Sequence, residues 1–174
     1  MFKKAEFIPL NIAILTLSDS RTHETDTSGQ VLEDLLIAAG HRLAARELCK
    51  DDIYASRAVV SGWIADEGID VILTTGGTGL SNRDSTPEAM LPLFDCRIEG
   101  FGELFRQLSY EEIGTSTIQS RALAGLANQT LIFCMPGSTG ACRTGWEGIL
   151  EEQLNSSHRP CNFAAQTRSG AHLL

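Results

Sequence analysis

With 174 residues, 43% of them hydrophobic and 21% charged, the chain is long enough to bury one core and has the composition of a soluble globular domain. A formal net charge of −8, with no basic stripe anywhere, excludes an electrostatic footprint for nucleic acid. Any anionic ligand must be held by backbone N–H groups and a bound cation, against the overall field. The five cysteines (49, 96, 134, 142 and 161) form no C-x-x-C pair and are odd in number. That argues against a disulfide framework or a zinc site and for a reducing compartment. In "MFKKAEFIPLNIAIL" the apolar stretch is interrupted by Glu6, Pro9 and Asn11, a poor secretion signal, and no apolar run is long enough to cross a bilayer. The expected location is the cytoplasm, with no membrane partner. On that reading the acceptor tripeptides beginning at Asn128 and Asn155 are chance matches.

"NIAILTLSD" (11–19) reads as a buried strand ending in a polar loop. Thr27-Ser28-Gly29-Gln30 has capping-box spacing, Val31, Leu32, Leu35, Leu36 and Ala39 follow at helical spacing, and Gly40 stops the helix. "RLAARELCK" predicts a second strand, and Asp52 caps a helix with Ile53, Val60 and Ile64 on one face. "DVILTT" (70–75) is a short continuous apolar run, as expected of a parallel strand covered on both faces. Thr86-Pro87-Glu88 has the form of a helix start, with Thr86 as cap. Residues 95–128 predict short helices around "GFGELFRQLSYEEIG". "TLIFCMPG" (130–137) is a further buried strand, and Trp146, Ile149, Leu150 and Leu154 form the inner face of a last helix. The whole is one domain, 1–174, with residues 1–9 and 164–174 as terminal arms. Strands alternating with helices predict an α/β fold around a mostly parallel sheet.

In such sheets ligands gather beyond the carboxyl ends of the strands. The loops there are "SDSRTHETDTSG", "KDD", "GGTGLSNRD" and "PGSTGACR", each rich in glycine, hydroxyls or acids. The glycine loop fits neither common nucleotide template. Counted from Gly76, the P-loop pattern meets Ser81 where glycine is required, and G-x-G-x-x-G counted from Gly77 meets Asn82. Successive glycines between a strand and a helix still expose N–H groups suited to phosphate, or form a plain turn at positive φ. Asp84 and Asp51 each read either as Mg²⁺ or ligand-hydroxyl partners or as ordinary loop and capping acids. The Pro136-Gly137-Ser138 turn reads equally as a second anion site or a simple strand-to-helix connection, and Arg121 as a surface ion pair. No G-x-S-x-G elbow or H-E-x-x-H is present, the four histidines fall in loops or tails, and Cys134 reads as an inert packing residue. What remains favours electrostatic chemistry, phosphoryl or nucleotidyl transfer with Mg²⁺ and N–H donors.

"TTGGTGLSNRDSTPEA", followed by "GFGE", "TSTIQSR" and "MPGSTGACR", resembles the MoaB/Mog family of molybdenum cofactor biosynthesis over nearly the whole chain, and the tail resembles the MoaB branch. The resemblance implies a three-layer α/β/α sandwich and a homo-oligomer, trimer or hexamer. It implies molybdopterin as ligand, with ATP and Mg²⁺ used to adenylylate its terminal phosphate; other cofactor-biosynthesis proteins are then natural partners. The alternative it allows is a paralogue that binds molybdopterin or a precursor without transfer. Carried over by position, Gly76, Gly77, Thr78 and Gly79 would cradle a phosphate. Asp51 and Asp84 would be the catalytic acids and hold Mg²⁺, and Ser120, Gly137 and Ser138 would line the pocket. One position departs: relatives often carry a lysine after "PGST", and this chain has Gly140. A lost cation there would weaken charge neutralisation at a polyphosphate.

Overall fold

The computed structural model describes residues 6–173. Its six strands are β1 (Asn11–Leu17), β2 (Arg42–Cys49), β3 (Val71–Thr75), β4 (Cys96–Arg97), β5 (Leu123–Ala127) and β6 (Thr130–Met135). They form one sheet in the order β2-β1-β3-β6-β5-β4. The four strands β2, β1, β3 and β6 run parallel, while β5 pairs antiparallel with both β6 and β4. The helices are α1 (Thr27–Ala38), α2 (Ile53–Ala65), α3 (Thr86–Met90), α4 (Glu99–Ile113), α5 (Thr139–Gly145) and α6 (Glu151–Gln153). A π-helical turn at Trp146–Leu150 joins α5 to α6. Among the described residues no helix is long and apolar enough to cross a membrane.

The sheet is covered on both faces: its central strands, mostly apolar with a few threonines, are buried at every position but Asn11. Alternation of side chains then divides each strand between two cores. Ile12, Ile14, Val71, Leu73, Leu131 and Phe133 face α1, α4, α5 and the π-helical turn through Leu32, Leu36, Phe101, Phe105, Cys142 and Trp146. Ala13, Leu15, Ile72, Ile132 and Cys134 face α2 and α3 through Val60, Trp63, Ala89 and Met90. The result is a three-layer sandwich. Since β1 connects to β2 on one side and the chain then returns to β3 on the other, the strand order reverses between β1 and β3. A crevice opens at that reversal, at the carboxyl ends of the strands.

Several local expectations are corrected. Asp26, not Thr27, caps α1: its side chain accepts the Gly29 N–H at 2.9 Å and is held by Thr16 at 2.8 Å and Arg46 at 3.1 Å. An acid already anchored one residue earlier displaces the weaker hydroxyl. Asp52 caps α2 through the Ala55 N–H, as its position implies. Residues 95–128 hold two strands and one helix of 15 residues rather than short helices. Gly102 suits that helix because a β-carbon there would stand 2.5 Å from the Ala122 carbonyl oxygen. The β5–β6 connection is a two-residue turn with Asn128 and Gln129 both at positive φ, the geometry that matches strand twist.

The termini are tied down where they are described; residues 1–5 lie outside the described residues. Ile8 donates its N–H to Ser156 at 2.8 Å, and Phe7 stacks on His41 with ring centroids 5.2 Å apart. In the last segment Thr167 is fully buried, and Arg168 donates to the carbonyls of Ile64, Ile69 and Asn128. Ser169 bonds both oxygens of Asp70 at the start of β3. His41 is not in a loose loop but 5% exposed, its Nδ1 accepting the Leu10 N–H at 3.1 Å. Burial pushes its imidazole down from 6.5 to about 4, with Asp70 opposing. The unfolded chain therefore takes up this proton near its ordinary value while the folded chain refuses it until about pH 4. Stability from the neutral ring is complete above the unfolded value and is lost as pH falls. Between pH 7 and pH 5 the loss from this group is about 2 kcal/mol. Urea unfolding of wild type and His41→Asn, which keeps an acceptor for Leu10, checks this: the variant is expected to lack that part of the acid sensitivity, and equal sensitivity would refute it.

Candidate functional site

The site is built on the loop that leaves β3. Gly76 has φ +108, and a β-carbon there would stand 2.1 Å from the Leu17 carbonyl oxygen, so only glycine fits. Its N–H donates to the Met135 carbonyl at 3.0 Å, so this residue is held between the ends of β1 and β6. Gly77, at φ +65, lies against Thr86 and Asp51: its β-carbon would be 2.4 Å from Thr86 Oγ1 and 3.0 Å from Asp51 Oδ1. Thr86 is not the cap of α3, a place taken by Ser85. It is fully occupied in the loop, donating Oγ1–H to the Gly76 carbonyl at 2.7 Å and N–H to the Gly77 carbonyl at 2.9 Å. Both carbonyls thereby turn toward Thr86, and the N–H groups that follow them turn away. Among the described residues, the N–H groups of Gly77, Thr78 and Gly79 have no internal acceptor. Successive free N–H groups of this kind form an anion-binding concavity.

Gly137, in the turn after β6, packs against this loop: its β-carbon would stand 3.3 Å from the Gly76 Cα. Ser138 caps α5 by accepting the Ala141 N–H at 3.1 Å. The two turns share a cavity of about 370 Å³. Gly76, Gly77, Thr78, Gly79, Asp84, Ser120, Gly137 and Ser138 all line it. The opposite wall comes from α4 and the 3₁₀ turn that follows, through Phe105, Ser109, Ile113, Ser116 and Gln119. The Ser120 hydroxyl is buried without a partner. One end of the cavity thus offers N–H donors, and the other the edge of the buried Phe105 and the exposed Ile113 beside hydroxyls and an amide. That is the combination a small-molecule pocket of this size uses to orient a ligand.

The two expected acids are placed differently. Asp84 lines the cavity beside Gly79, with Oδ2 accepting the Ser81 N–H at 2.8 Å. Asp51 lies outside the cavity wall, against Gly77. Burial pushes the Asp51 carboxyl up, and Asp19 and Asp84 add to this by like-charge repulsion. Asp19 in turn accepts two bonds from Arg83, at 2.8 and 3.0 Å, and the Asp51 N–H at 3.3 Å. The Arg83 hydrogen bond is the main reason its own carboxyl is held below the ordinary range. Asp19 therefore ties the loops after β1, β2 and β3 together. Among the described residues no three metal-ligating side chains converge into a cage. Asp84 on the cavity wall and Asp51 beside Gly77 are the carboxylates that would hold Mg²⁺, a cation that takes one or two carboxylates and completes its shell with other oxygens and water.

Arg121 has a larger part than a surface ion pair. It pairs with Glu88, but its Nε also donates to the Gly79 carbonyl at 2.9 Å and its Nη2 to the Asp84 carbonyl at 3.1 Å. Gly140 does not line the cavity. It opens onto a neighbouring groove with Glu111, Glu112, Arg143 and Glu147, where a β-carbon would meet nothing within 4 Å. Cys134 and Cys142 are no nucleophiles, since burial pushes their thiols up to about 12 and about 11.

Residues 13–156 match the family model described as a probable molybdopterin binding domain. The chain is 60% identical over 158 residues to molybdenum cofactor biosynthesis protein B of Escherichia coli K12, covering 91% of this chain and 93% of that one. It is 46% identical over 142 residues to the protein of the same name from Bacillus cereus, covering 81% and 84%. Among solved structures, a molybdenum cofactor biosynthesis protein B superposes with a TM-score of 0.82 at 45% identity, over 84% of this chain and 91% of that one. The molybdopterin biosynthesis enzyme MoaB of Thermus thermophilus does so with 0.73 at 36% identity, over 81% and 89%. With its glycine loop, its opposed turns and a match spanning both, the chain belongs to the molybdopterin-binding domain family of molybdenum cofactor biosynthesis.

Proposed function

We propose that this chain works in the cytoplasm in molybdenum cofactor biosynthesis, binding molybdopterin in the glycine-loop cavity and adenylylating its terminal phosphate with ATP and Mg²⁺. The observation that carries the reading is the division of the cavity: free N–H groups of Gly77, Thr78 and Gly79 at one end, and Phe105, Gln119 and the unpartnered Ser120 hydroxyl at the other. A ligand with a phosphate at one end and a flat heteroaromatic ring at the other matches both. The high thiol pKa values of the buried Cys134 and Cys142 agree, since the attacking atom would be a phosphate oxygen of the pterin rather than a side chain. It forms a bond to the α-phosphorus of ATP, and the bridging bond to the β-phosphate breaks to release pyrophosphate. The chain's part is positioning: the glycine loop holds the phosphate, Asp84 faces the reacting end, and Asp51 stands against Gly77 at the edge of the loop. Mg²⁺, when bound at Asp84 and Asp51, would neutralise charge building on the transferring group.

A second reading, binding without transfer, draws on the cavity itself. About 370 Å³ accommodates one small ligand, and Asp51 lies outside it. One assay separates the two: purified protein with molybdopterin, ATP and Mg²⁺, following pyrophosphate and adenylylated pterin together. Transfer is expected, and Asp84→Asn should lower it by roughly 100-fold while leaving the fold intact, the scale on which one electrostatic group contributes. Tight pterin binding by wild type with no product would establish the second reading instead.

Asp51 also makes a stability claim. A carboxyl whose folded-state pKa is raised disfavours the fold while ionised, and the penalty fades as pH falls through that value. Asp51→Asn should therefore unfold at higher urea than wild type at neutral pH, with the two converging in acid. A lower midpoint at neutral pH would contradict the electrostatic assignment.

Self-association belongs to the same reading. Ile113 (53% exposed), which lines the cavity, and Leu80 (66%), Tyr110 (57%) and Ile118 (81%), each next in sequence to a lining residue, leave apolar side chains in water. Gel filtration is expected to give a trimer or hexamer of the 18.8 kDa chain, and a monomer at micromolar concentration would remove that part.

A further inference from the structure

We infer that Arg121 is a positioning residue that couples occupancy of the ring-binding wall to the geometry of the phosphate cradle and of Asp84. The inference rests on the proposed binding mode, and deepens it.

The residue sits where three parts of the site meet. Its own N–H donates to the Thr78 carbonyl at 3.1 Å. Its guanidinium donates to the carbonyls of Gly79, at 2.9 Å, and Asp84, at 3.1 Å, and pairs with Glu88 at the first turn of α3. Each accepted carbonyl sets the tilt of one peptide plane. A carbonyl drawn toward Arg121 sends the following N–H the other way, so Arg121 turns the N–H groups of Gly79 and Leu80 away from itself. Thr86 does the same for Gly77 and Thr78 from the other end of the loop. Between them, the two residues account for the orientation of every peptide from Gly76 to Leu80.

The Asp84 contact adds a second function. Asp84 is held by Ser81 through its side chain and by Arg121 through its carbonyl, so the acid on the cavity wall and the glycine cradle share one anchor. The neighbour of Arg121, Ser120, has its hydroxyl buried against the cavity without a partner, and Gln119 and Ser116 precede it in the same turn. A ring engaging that turn therefore acts on the backbone that carries Arg121. Three of its five guanidinium N–H groups are engaged by the loop carbonyls and Glu88, and the side chain is not among those that line the cavity, which distinguishes it from a residue that would contact phosphate itself.

A planar fork serves here because donors at fixed angles reach two carbonyls and a carboxylate together, whereas an ammonium is a single point of charge. The test compares wild type, Arg121→Met and Arg121→Lys in molybdopterin binding, in transfer under saturating ATP and pterin, and in amide exchange at Ser81, Asp84 and Thr86. Arg121→Met should bind the pterin about tenfold more weakly, the scale of a net hydrogen bond or two lost from a misaligned cradle. Its turnover at saturation should fall further, about 100-fold, as expected when a catalytic group is displaced by an ångström or so. Exchange at the three loop amides should accelerate while the urea midpoint keeps the protein folded under assay conditions. Arg121→Lys, restoring charge but not the fork, should recover only part of each loss.

Wild-type affinity, turnover and exchange in folded Arg121→Met would overturn the inference. So would losses that merely track the unfolded fraction of the variant, or full recovery by Arg121→Lys. If wild type itself transfers nothing, the adenylylation reading fails separately, and affinity and loop exchange alone decide the role of Arg121: weakened binding with faster exchange supports it, and unchanged values overturn it.

Discussion

The site depends on one close approach, the backbone of Gly76 wedged between the ends of β1 and β6. Its Cα lies so near the Leu17 carbonyl that no β-carbon fits, and its N–H closes onto Met135. This contact aligns the loops of two parallel strands and puts Gly137 directly against the glycine loop. Everything that faces the cavity is referred to it. The free N–H groups of Gly77–Gly79 follow from how Thr86 and Arg121 take up the loop carbonyls, and the depth of the cavity from how Ser138 starts α5 beside it. The apolar strands supply the rigid frame: the two positive-φ glycines at the start of the loop, Gly76 and Gly77, leave directly from a strand hydrogen-bonded on both sides.

Electrostatics explains why the cradle is made of backbone. A chain with net charge −8 repels anions at long range, and the acids Asp19, Asp51 and Asp84 crowd the strand ends. Oriented peptide dipoles act at contact distance, where that field matters least, and need no side chain that the neighbouring acids would neutralise. Arg83, the cation nearest these acids in the loop, is engaged by Asp19 and stabilises their crowding. In the proposed binding mode the charge balance of an incoming phosphate would therefore fall on N–H donors and on a cation held with the carboxylates.

The parallel half of the sheet was legible because its signal is strong: "NIAILTL", "VILTT" and "TLIFCM" are runs of apolar and β-branched residues bounded by polar loops, and glycines fall where the backbone must bend. The antiparallel half was not. Leu123–Ala127 is "LAGLA", without the β-branched or aromatic residues that mark strands, and it becomes one because β6 offers an open edge. The turn joining them lacks glycine, so its left-handed residues gave no warning; Arg168, forty residues on, supports it through the Asn128 carbonyl. Of the site, the glycine loop and the turn after β6 could be found from their position after strands, and Asp84 from its place before α3. Arg121, Thr86 and Asp19 could not, because their value lies in contacts between loops far apart in sequence. Gly140 illustrates the reverse error: close to Ser138 in sequence, it faces a different groove.

The central claim is that the N–H groups of the glycine loop receive the ligand's phosphate. Its most direct test is an amide ¹H–¹⁵N titration of the ¹⁵N-labelled protein with molybdopterin. Large downfield proton shifts are expected at Gly77, Thr78 and Gly79, with smaller ones at Gly137 and along Ser116–Ser120. Shifts confined to the Gly140–Glu147 groove, with the glycine-loop amides unmoved, would contradict it.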